Sequence, residues 1–324
     1  MGSNQSFLRK GMVKFMKTAF VYAGQGSQIV GMGKEFYQNF SIAQEVFDGI
    51  ELDFDVKKLC FEGPLETLSQ TQYTQPCMVA VAIIITEILK EHGIVPEMAA
   101  GLSLGEYSAL YASGALDRKT ALELVRYRGR IMEEAVQGIE SKMVAVLGLE
   151  REFVEQACAA GAQFGLVQPA NYNCPGQIVI GGEVTAVDKA AERALELKAK
   201  RVIPLNVSGP FHTALLEPAS KKLAERLNRV AFGDLQIPVV FNTTASEIQP
   251  EQTIEGLLTK QIMSPVYFED SIRYMLDWGI DTFVEIGPGK VLSGFIKKIS
   301  KNTAIYQVED IASLNKTVES IKGE

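Results

Sequence analysis

Short apolar runs that end in glycine-rich turns alternate along the chain with longer segments of helical period. Thr18–Tyr22, Met98–Ala100 and Thr282–Ile286 read as strands, and the turns after them carry Gly24-Gln25-Gly26, Gly101-Leu102-Ser103-Leu104-Gly105 and Gly287-Pro288-Gly289. Pro238–Asn242 reads as a further strand, and helices are predicted over 31–40, 42–50, from Asp117 onward, 214–230, 254–262 and 267–278. Pro64–Gln72 reads as a polar connection. The most apolar run, Met78–Ile85, is too short to span a bilayer and soon meets Glu87 and Lys90, so it is expected to be a buried helix following Pro76. A strand and a helix over Ile305–Lys322 close the chain. Strand, turn and helix in this order predict an α/β fold with a mostly parallel sheet.

Midway the pattern changes. Met143–Leu149, Leu166–Asn171, Gln177–Gly181 and Arg201–Leu205 read as strands, with helices over Arg151–Ala160 and Ala186–Leu197. The order β-α-β-β-α-β is that of a ferredoxin-like unit, with Asn173-Cys174-Pro175-Gly176 as the turn between its middle strands. The expected organisation is therefore a large domain over 16–140 and 207–324, interrupted by a small ferredoxin-like domain over 141–206. Residues 1–15 are expected to be a leader or tail outside the fold.

Composition narrows the class. The 324 residues are 47% hydrophobic and 22% charged, with a formal net charge of −7, as in a soluble globular protein and unlike a general nucleic-acid binder. The four cysteines are scattered, without metal-ligand spacing, so no metal site is expected, and they read as reduced thiols of a cytoplasmic protein.

Candidate chemistry centres on Gly101-Leu102-Ser103-Leu104-Gly105. A strand, this turn and an immediate helix are the setting of a nucleophile elbow, in which Ser103 sits on a strained turn. The Leu104 N–H lies at the helix start, where the dipole favours negative charge, and can help to hold an oxyanion. The first turn lacks the third glycine of a dinucleotide fingerprint, since position 29 is Ile29, and reads as a strand-to-helix turn presenting backbone N–H groups and Gln25 to a ligand. The elbow needs a base, and the chain has only two histidines. His92 lies at a helix end before Gly93. His212 lies in a loop of small residues at the mouth of a helix and is the credible candidate. Arg126, Arg128 and Arg130 share one helix but, at about 100° per residue, cannot share one face.

Together, Gly24-Gln25-Gly26-Ser27-Gln28, Gly101-Leu102-Ser103-Leu104-Gly105-Glu106, Arg128-Gly129, Gly209-Pro210-Phe211-His212 and Glu285-Ile286-Gly287-Pro288-Gly289 resemble the malonyl-CoA:acyl-carrier-protein transacylases of bacterial type II fatty-acid synthesis. The resemblance covers residues 16–312 in order. It implies a hydrolase-like α/β domain with the ferredoxin-like insert, Ser103 as nucleophile and His212 as base. It also implies that Arg128 holds the malonyl carboxylate, Gln25 and Leu104 line the oxyanion hole, and the Gln261 carbonyl orients His212. Phe211 beside His212 would exclude an α-methyl group, and Asn171 and Asn173 would approach the cleft from the small domain. Two positions depart from the pattern: Leu102 stands where the family often has His, and Ala23 where Pro is frequent.

The activity so implied is an acyltransferase of lipid metabolism. Malonyl passes from malonyl-CoA to a serine ester and then, in ping-pong fashion, to the phosphopantetheine thiol of holo acyl carrier protein. No bound cofactor, nucleic acid or membrane is expected, and the protein is expected to be monomeric. Two readings compete: a serine thioesterase or esterase on the same elbow, which would want an acidic partner for His212, and a non-catalytic carrier-protein docking module.

Overall fold

The computed structural model describes residues 16–323, so the expected leader over 1–15 lies outside the described residues. Five strands, β1 (Thr18–Tyr22), β2 (Met98–Gly101), β7 (Val239–Val240), β8 (Thr282–Ile286) and β9 (Ala304–Val308), form one sheet in the order β7-β2-β1-β8-β9. Every pairing within it is parallel. Such a sheet needs cover on both faces, and the alternation along β1 supplies it. Phe20 and Tyr22 face the core built around the Thr71–Glu91 helix, whereas Ala19 and Val21 face Phe268, Ile272 and Phe295.

A second sheet joins β3 (Ser141–Leu147), β4 (Val167–Cys174), β5 (Gln177–Glu183) and β6 (Arg201–Pro204) in the order β4-β5-β3-β6, all antiparallel. With helices Arg151–Gly161 and Val184–Glu196 packed on it, this is the ferredoxin-like arrangement, and it has its own apolar core around Val146, Val154, Ile180 and Val187. The edge strand β4 docks on the larger unit. Tyr172 N–H donates to the Val266 carbonyl at 2.8 Å and Val266 N–H to the Ala170 carbonyl at 2.9 Å. Tyr172 stacks on Tyr267, with ring centroids 5.0 Å apart, and Arg151 pairs with Asp270 at 2.6 Å.

Several boundaries differ from the sequence reading. Pro64–Gln72 is not a plain connection: it holds a short helix, Leu65–Leu68, and the first turn of the long helix, which starts at Thr71 and so carries Pro76 inside it. Proline at that position cannot bond the carbonyl four residues earlier. That carbonyl, of Gln72, accepts instead from Arg126 Nη1 at 3.0 Å. The Thr71–Glu91 helix is long and apolar enough to cross a membrane, yet 83% of its apolar window is buried inside the protein. The helix expected from Gly31 begins at Lys34, because Gly33 is left-handed at φ 78°. Residues 214–230 open with a 3₁₀ turn and are α-helical only over Glu217–Leu227. Strand β4 runs through Cys174, which leaves Pro175-Gly176 as the turn, and Pro238–Asn242 shrinks to Val239–Val240. The helix Val56–Glu62 has no counterpart in the sequence reading.

Candidate active site

The carboxyl ends of β1, β2 and β8 lie side by side, and their turns meet there. At the end of β2 the chain reverses into the Gly105–Ala112 helix through Ser103, whose backbone is left-handed at φ 53°. Gly101 and Gly105 permit this reversal, since a Cβ on Gly101 would strike the backbone of Gly105 and one on Gly105 would strike the Tyr22 carbonyl. Leu104 is the N-cap residue of the helix, so its N–H is not spent within it.

His212, also left-handed at φ 62°, brings its imidazole over the elbow. Nε2 lies 2.6 Å from Ser103 Oγ, and Nδ1 lies 2.8 Å from the Gln261 carbonyl oxygen. A carbonyl can only accept, so Nδ1 carries the proton and Nε2 is free to take one from the hydroxyl. The ring is 3% exposed. Burial, helped by the positive charge of Arg128, lowers its pKa to about 4. No carboxylate takes the orienting place: Asp188, the residue a hydrolase reading might invoke, pairs with Lys142 at 2.6 Å in the small unit.

The Arg118–Ala135 helix, capped by the Asp117 side chain, separates its three arginines as its period requires. Arg130 is exposed, and Arg126 pairs with Asp53 at 2.7 Å and stacks on Phe54 and Tyr73. Arg128 is 1% exposed. Its Nη2 donates to Ser103 Oγ at 3.1 Å and to Gln261 Oε1 at 3.0 Å, and the guanidinium lies over the Tyr107 ring. Its Nε has no acceptor, and it makes no ion pair among the described residues. Desolvation pulls its pKa below the usual arginine value, but a guanidinium stays charged in proteins. The site thus holds a buried cation with donors to spare.

Gln25 sits in the turn after β1, and its Nε2 donates to Thr71 Oγ1 at 3.0 Å. Phe211, 9% exposed, packs in the main core beside His212. Ser103, His212, Arg128 and Gln261 are joined by direct hydrogen bonds. Asn171 and Asn173 are not: Asn171 bridges to Val266 through its backbone, and Asn173 Oδ1 is buried without a partner.

Two further residues touch the elbow that the sequence reading did not single out as site residues. Asn242 follows β7 and bonds both Ser103 and Gly101. Glu106, 1% exposed, accepts from the Asn242 N–H at 2.6 Å, and burial raises its pKa to about 8. The signal for Asn242 was a polar side chain at the carboxyl end of an apolar strand, where open α/β sheets bind ligands.

Known proteins resemble this chain over nearly its whole length. Residues 19–320 match the acyl transferase domain family. The malonyl CoA-acyl carrier protein transacylase of Bacillus subtilis is 44% identical over 311 residues, which is 95% of this chain and 98% of that protein. The crystal structure of MCAT from Streptococcus pneumoniae superposes with a TM-score of 0.90 at 52% identity, covering 94% of this chain and 100% of that one. A malonyl-transacylase solved in complex with its type II PKS acyl-carrier protein superposes with a TM-score of 0.90 at 38% identity, covering 94% of this chain and 99% of that one.

Proposed function

This chain belongs to the acyl transferase family as a malonyl-CoA:acyl-carrier-protein transacylase, and on that premise we propose how its residues divide the work of moving malonyl from coenzyme A to the carrier thiol. Ser103 is the nucleophile. Its proton passes to Nε2 of His212 as Oγ attacks the thioester carbonyl, and the Gln261 carbonyl holds the imidazole in the competent tautomer. The Leu104 N–H and Gln25 receive the oxyanion. Coenzyme A leaves as a thiolate and takes the proton from His212. In the second half, His212 accepts the proton of the carrier's phosphopantetheine thiol, whose sulfur attacks the malonyl-serine ester, and returns it to Ser103 Oγ as the ester bond breaks. A neutral orienting carbonyl suffices, because a thiolate is a far better leaving group than the amine that a protease must expel.

Arg128 carries the choice of acyl group. A guanidinium buried beside the nucleophile, with no ion pair among the described residues and an Nε that lacks an acceptor, is suited to a bidentate pair with the malonyl carboxylate. Phe211 closes the pocket against an α-methyl group. On the same reading the enzyme works as a monomer in the cytoplasm, with no resident cofactor.

The observation behind this reading is the unpaired burial of Arg128, and the test follows from it. Leaving one member of a buried charge pair unmet costs ~2–5 kcal/mol, roughly 30- to 4,000-fold. Arg128→Ala should therefore lose about that factor in kcat/KM for malonyl-CoA, while acetyl-CoA, which lacks the carboxylate, is used as well as before or better. Equal losses for both thioesters would assign Arg128 to structure or coenzyme A binding and remove the ground for malonyl selectivity.

A further inference from the structure

We infer that Asn242 is a positioning residue for the nucleophile: its carboxamide continues the sheet where the backbone cannot and clamps Ser103 in its left-handed turn. The inference rests on Ser103 being the nucleophile.

Strands β7 and β2 pair in parallel only at Ala99 with Val239 and at Ala100 with Val240. Beyond Gly101 the chain turns away into the elbow, and no backbone ladder can follow a residue at φ 53°. The Asn242 side chain takes over at that point. Its Nδ2 donates to the Gly101 carbonyl at 2.7 Å, and its Oδ1 accepts from the Ser103 N–H at 2.7 Å. A carboxamide has the donor and acceptor of a peptide group, so one side chain spans both limbs of the turn as a strand residue would. The Asn242 backbone is fixed as well, its N–H donating to Glu106 Oε2 at 2.6 Å and its carbonyl accepting from the Tyr267 N–H at 2.9 Å. Each of its four hydrogen-bonding groups is engaged, and the residue is 1% exposed.

The clamp has a chemical consequence. A left-handed serine is a strained conformation that persists only where its surroundings over-determine it. Asn242 secures the N–H side of Ser103, and Gln261 Nε2 secures the carbonyl side at 2.9 Å. With its own N–H committed to Asn242, Ser103 leaves the next N–H, that of Leu104, to receive the oxyanion. A relaxed elbow would move Oγ away from Nε2 of His212 and shift the oxyanion site at the same time; Arg128 would lose its contact with Oγ but keep its bond to Gln261 Oε1.

Rapid-quench acylation by malonyl-CoA, read by intact-protein mass, tests this. A misplacement of about 1 Å can cost on the order of a hundredfold. Asn242→Ala should therefore slow single-turnover acylation about 10- to 100-fold while the malonyl-CoA concentration at half-saturation changes less than about threefold. Reaction with phenylmethanesulfonyl fluoride, which needs Ser103 but not the carboxylate pocket, should slow in parallel. Asn242→Asp keeps the acceptor for the Ser103 N–H and should recover part of the rate, which keeps the test open if the alanine variant fails to fold. A folded Asn242→Ala protein acylated at the wild-type rate, or one whose loss lies wholly in half-saturation, overturns the clamp. Ser103→Ala serves as the control: if that variant is malonylated, the nucleophile assignment has failed rather than the clamp.

Discussion

Burial keeps the imidazole of His212 neutral far below the pH at which a solvated histidine charges, its pKa lowered to about 4 chiefly by desolvation and then by Arg128. Two consequences have fixed signs. The unfolded chain binds a proton near the ordinary value of 6.5 and the folded one does not, so this contribution to stability is complete above about 6.5 and is lost as pH falls toward 4. The base is likewise ready in the free enzyme, so kcat/KM for malonyl-CoA should run flat from about pH 8 down to about 5 and decline only as the pH approaches 4. An acid limb centred near 6.5 would mean that the ring is hydrated when substrate arrives. The reacting groups were legible in the sequence because each stands in a short local pattern: the serine between spaced glycines, the histidine after Gly-Pro-Phe. Asn242 and Glu106 were harder to read as partners. What joins them is a hydrogen bond across 136 positions that no local pattern encodes.

Two helices set the depth of Arg128. The helix Arg118–Ala135 lies against the start of Thr71–Glu91, and Gly129 is a point of close approach, where a Cβ would stand 2.7 Å from Gln72 Cα and 2.7 Å from the Thr71 carbonyl oxygen. One residue back, Arg128 is thereby sunk beside Ser103, and three back, Arg126 satisfies the Gln72 carbonyl that Pro76 leaves without a partner. Alanine in a helix interior normally gains about 1 kcal/mol over glycine. Here overpacking should reverse the sign, so that Gly129→Ala loses roughly 1–3 kcal/mol in thermal or denaturant unfolding. It should also weaken malonyl-over-acetyl selectivity, because the guanidinium is displaced with its helix. A stabilised Gly129→Ala protein would show that the two helices part without cost. This interlock explains why the sequence misplaced the first turn of the long helix. Proline argues for a boundary, and what permits it inside the helix is an arginine 50 positions later. Apart from the short helices Val56–Glu62 and Leu65–Leu68, the other elements were recoverable because apolar runs and turn residues mark them locally.

The larger unit and the small sheet together gather charges that are far apart in sequence. Lys198, Lys200 and Arg201 are exposed at one edge of the small sheet, and Lys297, Lys298 and Lys301 are exposed around the end of the Val291–Ile299 helix. The structure links the two clusters through one turn. Lys200 packs against Gly148, the Gly148 N–H donates to the Gly176 carbonyl at 2.7 Å, and Lys298 Nζ donates to the neighbouring Gln177 at 3.2 Å. On a chain of net charge −7 this gathers six cations on one stretch of surface, which the proposed carrier transfer is expected to use. Charge reversal at Lys200 and Lys298 should lower kcat/KM for the carrier by about tenfold or more at low salt and flatten its salt dependence, with acylation by malonyl-CoA unchanged. Carrier kinetics that ignore both reversals would place docking elsewhere.

The joint between the two sheets has a mechanical meaning as well. The segment Gln261–Tyr267 begins with the carbonyl that aims His212 and ends at Val266 and Tyr267, on which β4 and Tyr172 are seated and whose N–H also anchors Asn242. It works as a tie rod: a rocking of the small sheet must either snap its bonds to Val266 or drag the rod, and with it both the base and the turn that presents the hydroxyl. The two walls of the cleft share this one segment, so the aim of the imidazole is linked by hydrogen bonds to the seating of a sheet that contributes no reacting group of its own.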